Sequence, residues 1–303
     1  MMRNYRNTLT DPRVFYCLLT LLVVYSLAIG FEPNAHLILP DVIREYGHFF
    51  IIGLLAAIVA NTTGAGGGII FFPAFVLLGM AAETALATSF AIQCFGMTAG
   101  AIAWRQVRVK AMIKKESKQW LDFYNVLKVT LPFSLMGLWL TQYGFPHPPV
   151  SVHILFSVFS IVVGAILLTR SASNQPIEGA GNINNITLCW VSFVGGVVTA
   201  WLSVGVGELL AVLLILRGFT VNFSIAIAVT VSAINVWAGL PYHIWGTEQI
   251  HILVWMFAAP AAAMGGALAG MIALKIGAVT LKRFVAIWIV FSGASYLMVT
   301  MLS

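Results

Sequence analysis

Charge is what this sequence has least of. Ten Asp and Glu and sixteen Lys and Arg make up 9% of 303 residues. Soluble domains carry about 25% charged side chains, so a water-soluble fold is excluded. The acids lie mostly in loops and supply neither paired catalytic carboxylates, nor a Ser-His-Asp set, nor the acid-rich metal motifs of enzymes that handle diphosphates. No G-x-x-x-x-G-K-[ST] phosphate loop occurs, which removes a built-in ATP motor. The three cysteines, Cys17, Cys94 and Cys189, stand alone in separate apolar segments with no C-x-x-C between them. A disulfide framework or metal knuckle is therefore not indicated, and the redox compartment stays unread. Catalysis is disfavoured and no cofactor is called for. The net charge of +6 sits mainly in short loops, where it marks membrane orientation and not a nucleic-acid partner.

Apolar length is abundant instead: 60% of residues are hydrophobic and the mean hydropathy is +0.95. Uninterrupted helix candidates run over 14–31, 84–104, 126–143, 150–169, 224–240, 250–274 and 284–302. Each approaches the ~20 residues that a bilayer crossing requires. No loop is long enough for a separate domain, so the chain is one polytopic unit whose lipid bilayer is its first partner. Arg3, Arg6 and Arg13 precede the 14–31 run, and Ser26 and Ala28 make a faint cleavage-like signature. A secretory leader is one reading. A retained first helix is preferred, because the run is longer than most signal cores. Either way the chain starts in the cytoplasm.

Two stretches, 48–79 and 186–216, are too long for one crossing and are broken at their centres. Asn61-Thr62-Thr63-Gly64-Ala65-Gly66-Gly67-Gly68 interrupts the first and Ser203-Val204-Gly205-Val206-Gly207 the second. Such breaks release backbone polar groups, which survive at membrane depth only against protein or a wet cavity. Charge decides between crossing and re-entry. If both stretches are re-entrant hairpins and the N-terminus is cytoplasmic, Arg105, Arg108, Lys110, Lys114, Lys115, Lys118, Arg170, Arg217, Lys275, Lys282 and Arg283 all face inside. Glu32, Asp41, Glu45, Glu83 and Glu248 then lie opposite, with Arg44 the sole external base. If both stretches cross, the cluster from Arg105 to Lys118 faces out, against the positive-inside tendency.

Hairpins are thus preferred, and they make the expected fold an all-α polytopic membrane protein of two inverted repeats. An N-terminal helix and external segment (1–48) precede a first repeat (49–170) and a second (171–303), each a glycine-broken hairpin followed by three crossings. Gly66, Gly68 and Gly79 match Gly205, Gly207 and Gly218, each 139 residues on. After a three-residue slip, Thr88, Ala91 and Ile92 match Thr230, Ala233 and Ile234, with Gln93 opposite Asn235. Paired breaks in corresponding halves point to a transporter site near the midplane.

The tips carry the candidate chemistry. A helix returning near Gly67 presents unpaired N–H groups and a positive dipole end, an anion site without a buried cation. Gly66, Gly67 and Gly68 permit close approach, and Asn61, Thr62 and Thr63 add polar side chains. Ser203, Gly205 and Gly207 repeat the arrangement. Thr88, Ser89 and Gln93 lie on one helical face, and Thr230, Ser232 and Asn235 more loosely so; they either line the site or bond helix to helix. Glu208 is the only acid placed within the membrane. It is the coupling candidate, with a structural tie to free tip amides as the equal alternative. Gly96 with Gly100 and Gly266 with Gly270 read as packing notches. Trp104 and Trp245 read as interface anchors, and the segment from Arg105 to Lys118 as a solvated orientation loop.

Gly64-Ala65-Gly66-Gly67-Gly68, then Pro73, Gly79 and Ala87-Thr88-Ser89, resembles the first-half signature of the sulfite exporter family (TauE/SafE). Gly205-Val206-Gly207-Glu208, followed by Arg217 and Thr230, is similar to its degenerate partner. The second half departs from the fuller pattern, with Val206 and Glu208 in place of glycines and Val212 opposite Pro73. The resemblance implies a secondary transporter, in the usual case an exporter, of sulfite, sulfonates such as sulfoacetate, thiosulfate or related small acids. The residues alone reach only a small anion carried at paired tips, in an inner-membrane protein that could form a homodimer. The rivals are uptake or channel-like passage of another small solute, and a membrane enzyme or assembly partner that moves nothing.

Overall fold

A chain surrounded by lipid must satisfy its backbone from within, and helices do this segment by segment. The computed structural model describes residues 35–114, 118–144, 152–169 and 184–302. Helices dominate them, and no strand occurs among the described residues. The expected crossing at 14–31 lies outside the described residues, as do Lys115 and Arg170.

In chain order the helices are α1 (Ala35–Tyr46), α2 (His48–Thr63), α3 (Gly68–Leu77), α4 (Ala82–Ile113), α5 (Phe123–Gly144), α6 (Val152–Thr169), α7 (Asn185–Leu202), α8 (Val206–Leu216), α9 (Val221–Pro241), α10 (Ile252–Ile276) and α11 (Ala278–Leu302). Among the described residues, five spans are long and apolar enough to cross a bilayer: Ala82–Ile113, Lys118–Gly144, Asn185–Leu202, Val221–Thr247 and Ile252–Ile276. A sixth exists if Pro40–Tyr46 and His48–Thr63, bent by 43°, form one span. α3 and α8 are short apolar arms of 10 and 11 residues. Both central breaks fall where the glycine clusters predict.

Helix α4 packs against α9 and, on its other side, along α10; α2 also lies along α10. Helix α9 packs against α5, α7 lies along α5, and α6 pairs with α11. Small residues set the closest approaches. A methyl group on Gly266 would collide with the Gly96 carbonyl oxygen and lie 3.0 Å from the Gly100 amide, so the expected packing notches are real. Gly137 and Gly196 do the same for α5 and α7, each facing backbone carbonyls of the other helix.

Helix α1 lies within the 1–48 stretch. Two expectations are corrected. α4 continues to Ile113, so Arg105, Arg108 and Lys110 lie on helical turns and not in a loop. Arg108 is buried: its guanidinium lies 4.8 Å from the Phe123 ring and 4.4 Å from the Tyr124 ring, and Nη2 donates to the Tyr124 hydroxyl at 2.7 Å. Aromatic faces and one hydroxyl thus replace water around this cation. Trp104 is no interface anchor either. It is 1% exposed and its indole N–H donates to the Asn61 carbonyl at 2.8 Å, locking α4 to the end of α2. Trp245, at 76% exposure, keeps a surface position.

Candidate functional site

The two breaks share a backbone pattern. α2 ends at Gly64, whose φ of 81° is left-handed and whose amide caps the Ala60 carbonyl at 2.9 Å. α7 ends at Ser203, with φ of 59° and its amide on Thr199 at 2.8 Å. A left-handed serine costs on the order of 1 kcal/mol, which the surrounding packing must offset. Gly64 and Ser203 are 139 positions apart, the offset that relates Gly66 to Gly205. The turns closing the short arms agree, since Gly79 and Gly218 have φ of 87° and 86°.

The breaks meet each other. A Cβ on Gly68 would collide with the Ser203 carbonyl oxygen, and one on Gly66 would lie 3.4 Å from that oxygen and 3.5 Å from Val204 Cα. From the other side, a Cβ on Gly207 would collide with the Gly64 carbonyl oxygen. Gln93 of α4 clasps the junction. Its Nε2 donates to Ser203 Oγ at 2.6 Å, lies 3.1 Å from Ser203 O and 3.0 Å from Ser89 Oγ, and Ser203 Oγ donates to Ser89 Oγ at 3.0 Å.

Around this junction the backbone is unusually under-bonded. The amides of Gly66, Gly67, Gly68, Val204, Gly205 and Gly207 are buried and have no hydrogen-bond partner among the described residues. Buried N–H groups are normally paired, and orphans are rare. Six at one place form a donor-rich, electropositive spot at the starts of α3 and α8. Gln93 Oε1, Ser232 Oγ and Glu208 Oε1 are buried there or beside it without partners. Glu208 opens α8 at 3% exposure. These donors are main-chain groups at the starts of two helices, and no lysine or arginine is needed to make the spot electropositive.

Not every expected residue turns toward it. Thr62 Oγ1 donates to Ile58 O at 2.8 Å, and Thr63 Oγ1 to Val59 O at 2.9 Å while accepting the Ala65 amide at 3.2 Å. Thr230 Oγ1 donates to Ala226 O at 2.7 Å. Thr88 Oγ1 accepts the His251 amide at 2.9 Å, fixing the start of α10. Asn61 Nδ2 bonds Ala57 O at 2.8 Å and Gly96 O at 3.3 Å, and Asn235 Nδ2 bonds Ser134 Oγ and Val231 O, each at 2.9 Å. Thr62, Thr63 and Thr230 thus spend their hydroxyls within their own helices, while Thr88, Asn61 and Asn235 tie one helix to another. Thr62→Val, which removes a hydroxyl spent on its own helix, should therefore leave the affinity for sulfite within about threefold of wild type. A tenfold loss in equilibrium binding would make Thr62 a direct ligand.

One contributor escaped the sequence reading. Thr199 Oγ1 accepts the Val206 amide at 3.0 Å, so a residue one turn before the end of α7 caps the start of α8. This bond spans seven positions across the break, a spacing with no capping signature in sequence. It also turns α8 back on α7: a Cβ on Gly195 would lie 2.7 Å from Val206 Cα.

Among the described residues, five or six helices long and apolar enough to cross a bilayer, with two short apolar arms, define a multi-pass helical membrane protein. The sequence model of the sulfite exporter TauE/SafE family matches residues 49–296, from α2 nearly to the end of α11. The chain belongs to the sulfite exporter TauE/SafE family, a family of membrane transporters. No curated protein and no solved structure matches it.

Proposed function

We propose that the protein is a secondary transporter that exports a small sulfur-containing anion, sulfite or an organosulfonate such as sulfoacetate, by alternating access. The observation that carries this reading is the set of six bare, buried amides where the two breaks touch. Oxyanions match such donors in size and charge, and family membership supplies the sulfur chemistry. In this reading Gly66, Gly67, Gly68, Ser203, Gly205 and Gly207 hold the anion, Ser89 and Gln93 brace it, Thr88, Asn61 and Asn235 keep the surrounding helices in place, and Thr62, Thr63 and Thr230 are bonded within their own helices.

Two inverted repeats, α2–α6 and α7–α11, provide the moving parts. Exchanging the repeats turns the most extensive helix contacts into others that exist: α2 on α10 becomes α7 on α5, α4 on α10 becomes α9 on α5, and α4–α9 and α6–α11 become themselves. Rocking one repeat against the other opens the junction alternately to the two sides. Glu83 begins α4, while Arg105, Lys110 and Lys114 lie near its other end. That asymmetry supports an inner-membrane orientation with the end of α4, and hence the N-terminus, in the cytoplasm.

The test is a panel of labelled sulfite, sulfoacetate, thiosulfate, sulfate and acetate, exchanged across liposomes holding the purified protein, with and without a pH gradient. Saturable counterflow of the sulfur anions is the expected result; unsaturable flux would make the protein a pore, and no flux would leave the assembly-factor rival. Glu208 is the proton-carrying candidate. Glu208→Gln is expected to exchange anions but to lose their acceleration by a pH gradient. An unchanged pH profile in that variant would withdraw Glu208 from coupling.

A further inference from the structure

At the end of the bundle where α4 begins and α5 and α9 finish, a second set of buried polar atoms lacks partners. A π-helical segment, Tyr242–Thr247, follows α9 and carries His243, which is 2% exposed. Single π-turns are frequent at functional sites. The His243 ring lies against the Phe90 ring at 4.6 Å between centroids. Its Nε2 is 3.5 Å from Gln142 Nε2, and Gln142 Nε2 also bonds Gly239 O at 3.2 Å. A carboxamide nitrogen only donates, so His243 Nε2 is the acceptor and the imidazole proton sits on Nδ1. There it has no acceptor, and Gln142 Oε1, on a residue 3% exposed, has no donor. The two orphans lie no more than about 8 Å apart, since each is two covalent bonds, about 2.2 Å, from its end of the 3.5 Å contact. One buried donor and one buried acceptor at that separation are complementary to a single small group bearing both.

We propose that His243 and Gln142 form a second anion station, which takes a singly protonated oxyanion of the hydrogensulfite type. An S–O oxygen accepts from His243 Nδ1–H, and the anion's own O–H donates to Gln142 Oε1. Phe90 forms the wall toward the junction of the breaks. It lies three residues before Gln93, so about one helical turn, ~4.5 Å along α4, separates the two levels. Tyr242 and Tyr143, the chain neighbours of His243 and Gln142, pair with ring centroids 5.5 Å apart, and Tyr143 is 67% exposed, so the pair lies close to the surface. No carboxylate among the described residues makes an ion pair with His243, and its neutral ring offers the anion a hydrogen-bond donor that nothing else takes up. Its place on the side of α4 where Glu83 lies makes it the release step of an exporter. This role rests on the transport reading above; the site itself does not.

Histidine NMR on the full-length protein in detergent or nanodiscs tests it, with sulfite as the probe and His243→Gln to assign the resonance. Sulfite is expected to move the His243 Nδ1 signal in wild type and in Gln93→Glu, whose junction site is disabled, but not in Gln142→Leu. An unmoved signal in protein that transports sulfite overturns the station and leaves the transport reading standing. A moved signal in protein that transports nothing supports the station and removes export. If neither is seen, both fall. A shift that persists fully in Gln142→Leu overturns the paired recognition.

Discussion

Replacing Gly68 by alanine should reduce sulfite counterflow at least tenfold while leaving the protein inserted and helical. The added Cβ would overlap the Ser203 carbonyl oxygen and lie 2.7 Å from its carbon and 2.9 Å from Ser203 Cβ. Two of those neighbours are backbone, so no side chain can swing away, and one break must retreat from the other. Overpacking a tight contact costs about 1–3 kcal/mol. Here that strain falls on the surface that brings the bare amides together. Gly144→Ala is the control, because its new methyl group would meet only Leu140 Cδ1 at 3.7 Å. Gly67→Leu should also block the site. Its first added atom meets side chains, Phe71 at 2.9 Å and Gln93 at 3.0 Å, and the branched remainder adds bulk beside the bare amides, where the proposed anion would sit. Wild-type flux through Gly68→Ala would show that contact of the two breaks is not needed for transport.

Gln93→Glu should be more damaging still, lowering sulfite affinity at neutral pH by about 100-fold. The side chain keeps its shape but exchanges a donor for an acceptor, placed against Ser203 O at 3.1 Å and Ser203 Oγ at 2.6 Å. It also brings negative charge beside Gly66, where an added Cβ would sit 3.2 Å from Gln93 Oε1. Both changes act in one direction, against the junction and against the anion. Gln93→Leu loses only the clasp, so its loss should be about tenfold. The sign with pH follows: protonation restores one O–H donor and removes the charge, so binding by Gln93→Glu should recover as pH falls. Equal losses for Glu and Leu, with no recovery in acid, would mean that charge at this position is irrelevant.

The breaks were readable because clustered glycines inside an apolar run disrupt a helix whatever surrounds them. The 139-residue offset was readable too, and the backbone reproduces it at Gly64 with Ser203 and at Gly79 with Gly218. Trp104 and Arg108 were not readable. A tryptophan or arginine near a helix end looks the same whether it faces headgroups or a neighbouring helix, and only the packing of α4 against α2 and α5 decides. Thr62, Thr63 and Thr230 show a related limit. Threonine in a helix can satisfy its hydroxyl on the preceding turn, so an apolar segment can carry polar letters without a polar surface. Gln93 and Ser203 were expected in one shell, but their direct bond required the fold, since 110 positions separate them. His243 and Gln142 carry no signal in the sequence, because neither has a partner at any recognisable spacing.

Backbone amide NMR of glycine-labelled protein, titrated with sulfite, bears most directly on the claim that main-chain donors at the meeting point hold the anion. Saturable shifts at Gly66, Gly67, Gly68, Gly205 and Gly207, abolished in Gly68→Ala, are the predicted result. Saturable binding that leaves those five resonances unmoved would place the anion elsewhere and contradict the account.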